Sequence, residues 1–150
     1  RLDPDAEALR QRRLAALDSA LAVPGIAVEY HWEASDTSGS GQPSAKYVDP
    51  ESGQEITLLD SIAFSLAGAA GAVADSSGPA YSVSLRTSPT GREQLIATTT
   101  ARQGDRIGVL VNGRMVTLAF VQSPLMTMLP VVARVPQEQA QALADRINSR

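Results

Sequence analysis

The 150-residue chain contains no cysteine, a single histidine and few aromatic side chains. The missing thiols exclude disulfides, thiolate catalysis and cysteine-ligated metal sites. Aromatic residues make up 4% of the sequence but hydrophobic residues 43%, so Val, Leu, Ile and Ala must build the core. The length is sufficient for one domain with a core of its own, and the net charge of −3 is that of an ordinary surface.

Long hydrophobic runs are also missing. The most apolar stretch, residues 62–74, reads IAFSLAGAAGAVA, whereas a membrane-spanning helix needs about 20 consecutive apolar residues. Any membrane association is therefore expected only through segments outside this chain or through a partner. The chain begins with Arg1 and not Met, which predicts a processed form or an excised segment from which a targeting peptide has been removed.

The sequence shows no recognisable catalytic constellation. His31 would have to serve any Ser-His-Asp triad, yet it lies in a strand pattern beside Trp32, which is typical of a structural histidine. No H-E-x-x-H, G-x-S-x-G or P-loop motif occurs. Carboxylates could pair as acid and base, but their spacing is that of turn residues: Asp60 with Asp75, and Glu51 with Glu55. We therefore predict a non-enzymatic chain with no cofactor and no metal site.

A nucleic-acid partner is not predicted either. The basic residues Arg10, Arg12 and Arg13 lie close together near the N-terminus. Nucleic-acid binding needs a broader basic patch, so these arginines are interpreted as a solvated helix face.

The N-terminal third predicts a helix, a strand and a loop. The helix spans residues 3–22, because Asp3 suits the N-cap, Pro4 suits the first helical position, and Pro24-Gly25 ends the pattern. Residues 26–34 alternate apolar and polar, as a half-buried strand does. The polar segment 35–44 is expected to form a flexible loop.

The remaining elements predict an α+β fold with an antiparallel sheet and helices packed on one face. The predicted elements, in chain order, are a hairpin (47–48 and 56–59), an ambiguous segment (61–74), a turn (75–79), a strand (80–86), a helix capped by Ser88 and ended by Gly104, a hairpin (105–124), a strand (130–134) and a helix from Pro136. The last helix should bury Ala140, Leu143, Ala144 and Ile147, which share one face.

The hairpin at 105–124 is unusually apolar on both faces. Asn112-Gly113 predicts a two-residue type I′ turn, which places Leu110 opposite Met115 and Val109 opposite Val116. In this register the core face carries Ile107, Val109, Val111, Val116, Leu118 and Phe120. The other face carries Arg106, Gly108, Leu110, Met115, Thr117, Ala119 and Val121. Its four apolar members are the predicted partner-binding residues: Leu110, Met115, Ala119 and Val121.

The C-terminal two thirds resemble a known family. Residues 81–147 read YSVSLRTSPTGREQLIATTTARQGDRIGVLVNGRMVTLAFVQSPLMTMLPVVARVPQEQAQALADRI. This order of strand, Gly-containing helix, Asn-Gly hairpin, proline and Ala/Leu-rich helix resembles the head subdomain of the first periplasmic domain of SecD. The matching positions include Leu85, Gly91, Leu95, Gly104, Gly113, Pro124, Leu143 and Ala144. The resemblance covers residues 47–148. Val135 stands where the family often has a capping Thr, so the last helix is expected to lack a side-chain cap.

Two regions and three functions follow from the pattern and the resemblance. Residues 1–46 form an N-terminal helix, strand and loop, and residues 47–150 form the SecD-head-like domain. The resemblance implies a periplasmic, non-enzymatic domain that engages exported polypeptides or the translocation machinery, with a protein or polypeptide as partner. The alternatives are a structural subunit of a cell-envelope complex docked through the N-terminal helix, and a small hydrolase or ligand-binding protein.

Overall fold

A computed structural model describes residues 4–34, 43–77, 80–122 and 128–150. The described residues form three α-helices: α1 (Pro4–Leu21), α2 (Pro89–Ala101) and α3 (Gln137–Asn148). They form nine strands: β1 (Val28–Trp32), β2 (Ser44–Val48), β3 (Glu55–Leu59), β4 (Phe64–Ser65), β5 (Ala69–Ser77), β6 (Ala80–Thr87), β7 (Arg106–Val111), β8 (Arg114–Phe120) and β9 (Met128–Val135). The predicted cap at Asp3 and most of the loop predicted at 35–44 lie outside these ranges.

The strands form three antiparallel sheets, which confirms the α+β class. The sheet orders are β4-β1-β7-β8, β2-β3 and β5-β6-β9. The β2-β3 pair is joined to the end of β1 by a bridge between Glu33 and Leu58. The ambiguous segment 61–74 becomes β4, a turn of 3-10 helix at Leu66–Gly68 and the start of β5. The part of this segment from Ala69 onward is a strand, because β5 pairs with β6.

One hydrophobic core joins the N-terminal elements to the rest of the chain. Leu17 and Ala20 of α1 are fully buried in it, and β1 pairs with β7 from Val28 opposite Val111 to Trp32 opposite Ile107. The two regions predicted on either side of residue 46 therefore share a core. Their division into separate functional units stays a prediction.

The helix signals read from the sequence are confirmed at both C-terminal helices. The Ser88 hydroxyl oxygen accepts a hydrogen bond from the Gly91 N–H at 3.0 Å, and Pro89 occupies the first turn of α2. Helix α3 lacks a side-chain cap, as predicted, but its N-cap is Pro136 and not Val135, which ends β9. It buries its four predicted apolar residues, Ala140, Leu143, Ala144 and Ile147.

Tyr30 lies at the centre of the core and is 1% exposed. Its hydroxyl donates a hydrogen bond of 2.7 Å to the Pro130 carbonyl oxygen of β9, which joins two sheets. The ring meets Phe64 edge to face, with centroids 6.0 Å apart. Burial raises the pKa of the Tyr30 phenol far above its ordinary value, because the phenolate would lose its hydration there.

We expect Tyr30 to make the fold sensitive to alkaline pH. The folded chain keeps this phenol protonated, whereas the unfolded chain releases its proton near pH 10. The stabilisation is therefore complete below about pH 10, and the free energy of unfolding falls by about 1.4 kcal/mol per pH unit above it. Urea unfolding between pH 8 and 11 measures this slope. Tyr30→Phe should remove it, whereas a Tyr81→Phe control, which keeps Tyr30, should retain it.

Candidate interaction groove beside Met115

A β-bulge changes the register of the apolar hairpin. Leu110 lies opposite Met115 as predicted, but Val109 then pairs with Thr117 instead of Val116. Val116 is the extra residue of the bulge, so two residues on β8 oppose one on β7. The predicted register is therefore correct at Met115 and wrong from Val116 onward. The Asn-Gly turn fixes only the pairs next to it, and nothing in the sequence marks the bulge.

The bulge separates the four predicted partner-binding residues. Leu110 and Met115 belong to a small second cluster, whereas Ala119 packs against the main core and Val121 is buried within it. Leu118 and Phe120, which were predicted on the core face of the hairpin, lie on its opposite face. Leu118 packs against the second cluster and Phe120 is 57% exposed. A one-residue shift reverses the face of every side chain after it.

The β2-β3 hairpin covers Leu110 and Met115. Ile56 and Leu58 are buried against them, and Tyr47 packs at the margin of the same cluster. Gly108 provides the necessary room, because a Cβ atom there would lie 2.6 Å from Leu58 Cδ1. These apolar side chains are thus satisfied within the chain: Leu110 is 3% exposed and Met115 is 5% exposed.

The turn of this hairpin is fastened to α1. Arg12 donates through Nε to the Pro50 carbonyl oxygen at 3.0 Å and through Nη2 to the Glu51 carbonyl oxygen at 2.9 Å. Arg13 Nε lies 2.9 Å from Glu51 Oε1, and the Arg13 side chain is only 10% exposed. Arg12 and Arg13 therefore both make tertiary contacts. Arg12 stays exposed, as the solvated-face interpretation expects, whereas Arg13 does not. Arg10 remains at the surface, where it pairs with Glu7.

A groove of about 330 Å³ lies between α1, the hairpin turn and the start of β8. We call it the Met115 groove. Its lining residues are Arg12, Ala15, Ala16, Ser19, Val48, Pro50, Arg114 and Met115. Val48 is 60% exposed at this site. The groove combines small apolar residues with two guanidinium groups, a combination that suits an apolar side chain next to an anionic group.

The lone histidine has structural partners. His31 Nδ1 lies 2.7 Å from the Leu59 carbonyl oxygen, and Nε2 lies 3.0 Å from Glu29 Oε1. The residue is buried, and it links β1 to the end of β3. The partners of the two ring nitrogens are thus a backbone carbonyl and a carboxylate, and neither is a hydroxyl group. Both ring nitrogens of His31 are therefore engaged by residues of the fold.

Of the carboxylates considered as acid–base candidates, Asp60 is exposed in the bend after β3, and Asp75 is exposed within β5, opposite Ser82, and not in the predicted turn. Glu51 and Glu55 belong to the β2-β3 hairpin, whose turn also contains Asp49. Asp49 accepts from the Glu51 N–H at 3.1 Å and from the Ser52 hydroxyl at 2.8 Å, which shapes the turn between β2 and β3. Glu51 pairs with Arg13, and Glu55 lies 3.5 Å from Lys46. Within residues 4–34, 43–77, 80–122 and 128–150, no three His, Asp or Glu side chains lie together in a group that could hold a metal ion.

An ion pair with two hydrogen bonds lies at the start of β7. Arg106 donates through Nε and Nη2 to both carboxylate oxygens of Glu33, the Nε contact being 2.8 Å. Hydrogen bonding to Glu33 raises the pKa of Arg106. Arg102 stacks over Trp32 beside it, 5.0 Å from the ring centroid. These contacts hold the end of β1 against the start of β7 and the end of α2.

None of the helices in the described part of the chain is long and apolar enough to cross a membrane.

Comparison with known proteins identifies the fold but not a sequence family. No family model and no curated protein matches the chain. A structure of the membrane component SecDF, which enhances protein export, is 16% identical, with a TM-score of 0.65, over 97% of this chain and 85% of that chain. SecDF in its super-membrane-facing form is 17% identical, with a TM-score of 0.64, over 97% of this chain.

The likeness shows a SecD-like fold, and this chain spans 26% of the second SecDF chain. The resemblance read from the sequence is thus confirmed at the level of the fold. It extends further than residues 47–148, because 97% coverage includes most of the N-terminal helix and strand.

Proposed function

We propose that this chain is an export-related, extracytoplasmic domain that binds polypeptide or translocation proteins without catalysing a reaction. The likeness to two SecDF structures over 97% of the chain carries this proposal, since the first of them is described as a membrane component that enhances protein export. We assign residues 47–148 to a SecD-head-like unit on the sequence motifs. The structural partners found for His31, Glu51 and Glu55 support a binding function over hydrolysis.

The Met115 groove is the proposed contact site. Of the four residues predicted from the hairpin, Met115 alone lines the groove. Leu110 lies under the β2-β3 hairpin, and Ala119 and Val121 pack with the main core. Val48 adds the accessible apolar surface that the buried residues lack. A polypeptide can therefore be held at this groove without opening the fold.

Binding of an unfolded chain tests this function. Fluorescently labelled, reduced and carboxymethylated α-lactalbumin should raise its anisotropy on titration with the protein, with a dissociation constant on the order of 10 µM, as fits a weak reversible contact. Native α-lactalbumin should not bind. Val48→Glu should weaken binding about tenfold, because it places charge in the groove. Val23→Glu, at a valine 45% exposed and outside the groove lining, is the matched control. No binding by the unaltered chain would refute the function.

The alternative of an assembly subunit docked through α1 receives less support. Leu17 and Ala20 already pack into the core, and none of the large apolar side chains exposed in the described residues lies on α1. Helix α1 is therefore part of the fold, and its removal should unfold the domain.

A further inference from the structure

Strand β2 presents a backbone edge that no other strand of the described residues pairs with. The Asp60 N–H donates to the Pro43 carbonyl and the Asp49 N–H to the Gln54 carbonyl, both at 2.9 Å. Together with the β2-β3 register, these bonds show that the odd-numbered residues of β2 point their backbone N–H and C=O groups toward β3. The even-numbered residues, Ser44, Lys46 and Val48, therefore turn their N–H and C=O groups away from β3.

The outer edge of β5 differs from that of β2, because side chains of the same chain hydrogen-bond to it. Strand β5 is also terminal in its sheet, but the Asn148 side chain imitates a paired strand there. Asn148 Oδ1 accepts from the Ala72 N–H at 2.9 Å, and Nδ2 donates to the Ala72 carbonyl at 3.0 Å. Arg150 donates to the Ala69 carbonyl farther along the same edge. The chain thus blocks the start of the β5 edge, as proteins do to prevent strand addition.

The β2 edge ends at the Met115 groove. Val48, the last residue of β2, lines the groove opposite Ala15 and Ala16 of α1. A strand added to β2 would have alternate side chains on the groove side, so one of them could enter it. A backbone edge beside a side-chain pocket is the arrangement by which domains capture extended peptides.

Charge indicates the kind of segment that fits. Arg12 uses its guanidinium on two carbonyl oxygens, and Arg114 has no carboxylate within 4.0 Å in the described part of the chain. Both line the groove, whereas the whole chain has a net charge of −3. The local excess of positive charge complements an acidic residue in the bound segment.

We propose that the outer edge of β2 takes an extended polypeptide segment as an added strand, with an apolar side chain in the Met115 groove and a neighbouring acidic residue against Arg12 and Arg114. This inference rests on the proposed polypeptide-binding function and names its site and mode. Main-chain hydrogen bonds to Ser44, Lys46 and Val48 supply binding that is independent of sequence. The groove and the arginines supply a preference for segments in which apolar and acidic residues alternate.

A proline pair tests the proposed strand addition. Lys46→Pro removes an outward N–H without removing a bond to β3, and it should weaken binding of reduced, carboxymethylated α-lactalbumin at least tenfold. Ser76→Pro is the matched control. Ser76 is exposed, and its backbone N–H points away from β6, as that of Ala72 does. It should bind as the unaltered chain does. Arg114→Glu should weaken binding about tenfold at low salt and less at high salt.

Hydrogen exchange on the unaltered chain tests the same idea without depending on a variant that folds. Saturation with the same probe should slow exchange at the Ser44, Lys46 and Val48 amides at least tenfold and leave Ser76 unchanged. Full binding by a folded Lys46→Pro variant, or protection that omits these three amides, would overturn the inference while the proposed function stands. Absence of any binding to the unaltered chain would instead overturn both.

Discussion

Replacing Gly91 with alanine should lower the free energy of unfolding by about 2–3 kcal/mol. Helix propensity alone predicts the opposite sign, because alanine is favoured over glycine in a helix by about 1 kcal/mol. The tertiary contact is decisive: a Cβ atom at Gly91 would lie 1.9 Å from the Gly68 carbonyl oxygen and 2.8 Å from the Gly68 Cα atom. Both atoms belong to backbone, so relief requires a shift of α2 away from the 3-10 turn, with an overpacking cost of about 3 kcal/mol or more.

The contact is also fastened by hydrogen bonds, so the shift cannot be local. The Ser88 N–H donates to the same Gly68 oxygen at 2.9 Å, and the Ser88 hydroxyl approaches it at 3.2 Å. Thermal unfolding should show a decrease in melting temperature of about 2–4 °C for each kcal/mol lost. Thr90→Ala, at the exposed neighbouring position, should change stability by less than about 0.5 kcal/mol. Equal stability of Gly91→Ala and Thr90→Ala would disprove the packing argument.

Truncation of Tyr30 should cost about 3–5 kcal/mol, the range measured when a large aromatic side chain is removed from a core. The ring is almost fully buried, it packs edge to face on Phe64, and its hydroxyl reaches Pro130 of another sheet. Tyr30→Ala therefore creates a cavity and leaves the Pro130 carbonyl without its donor. Urea denaturation followed by circular dichroism measures the loss, which is large against the 5–15 kcal/mol of a typical domain.

Tyr30→Phe separates the two contributions. It keeps the ring and removes only the hydrogen bond, so it should cost about 1–2 kcal/mol. A Tyr30→Phe loss as large as that of Tyr30→Ala would show that the hydroxyl, not the packed ring, dominates. A Tyr30→Ala loss below about 1 kcal/mol would contradict the position of this residue in the core.

The sequence predicted the elements whose signals are local. Ser88 and Pro89 mark the start of α2 because capping and proline geometry depend on a few adjacent residues. The spacing of Leu143 and Ile147 with their neighbours predicted the buried face of α3. Asn112-Gly113 predicted the turn between β7 and β8, where both residues have positive φ. Those signals, with the glycine positions, also sufficed for the resemblance to SecD.

The candidate site was predicted only in part, because it depends on contacts between distant residues. Leu110 and Met115 were correctly placed opposite each other, but the bulge at Val116 moved Ala119 and Val121 toward the main core. Such a bulge leaves no mark in local composition. The short apolar segments 47–48 and 56–59 did predict a hairpin, yet they could not show that this hairpin would cover the apolar face.

By itself, the sequence determined the α+β class, the helix ends, the tight turns and the lack of recognised catalytic motifs, since each follows from residue types or short spacings. The tertiary structure alone decided which apolar residues stay hidden, that Arg12 and Arg13 fasten the hairpin to α1, and that the outer edge of β2 remains without a partner strand in the described residues. These features depend on strand register and on side chains that meet across tens of residues. Neither has a local signature, because each is fixed only when the whole core packs.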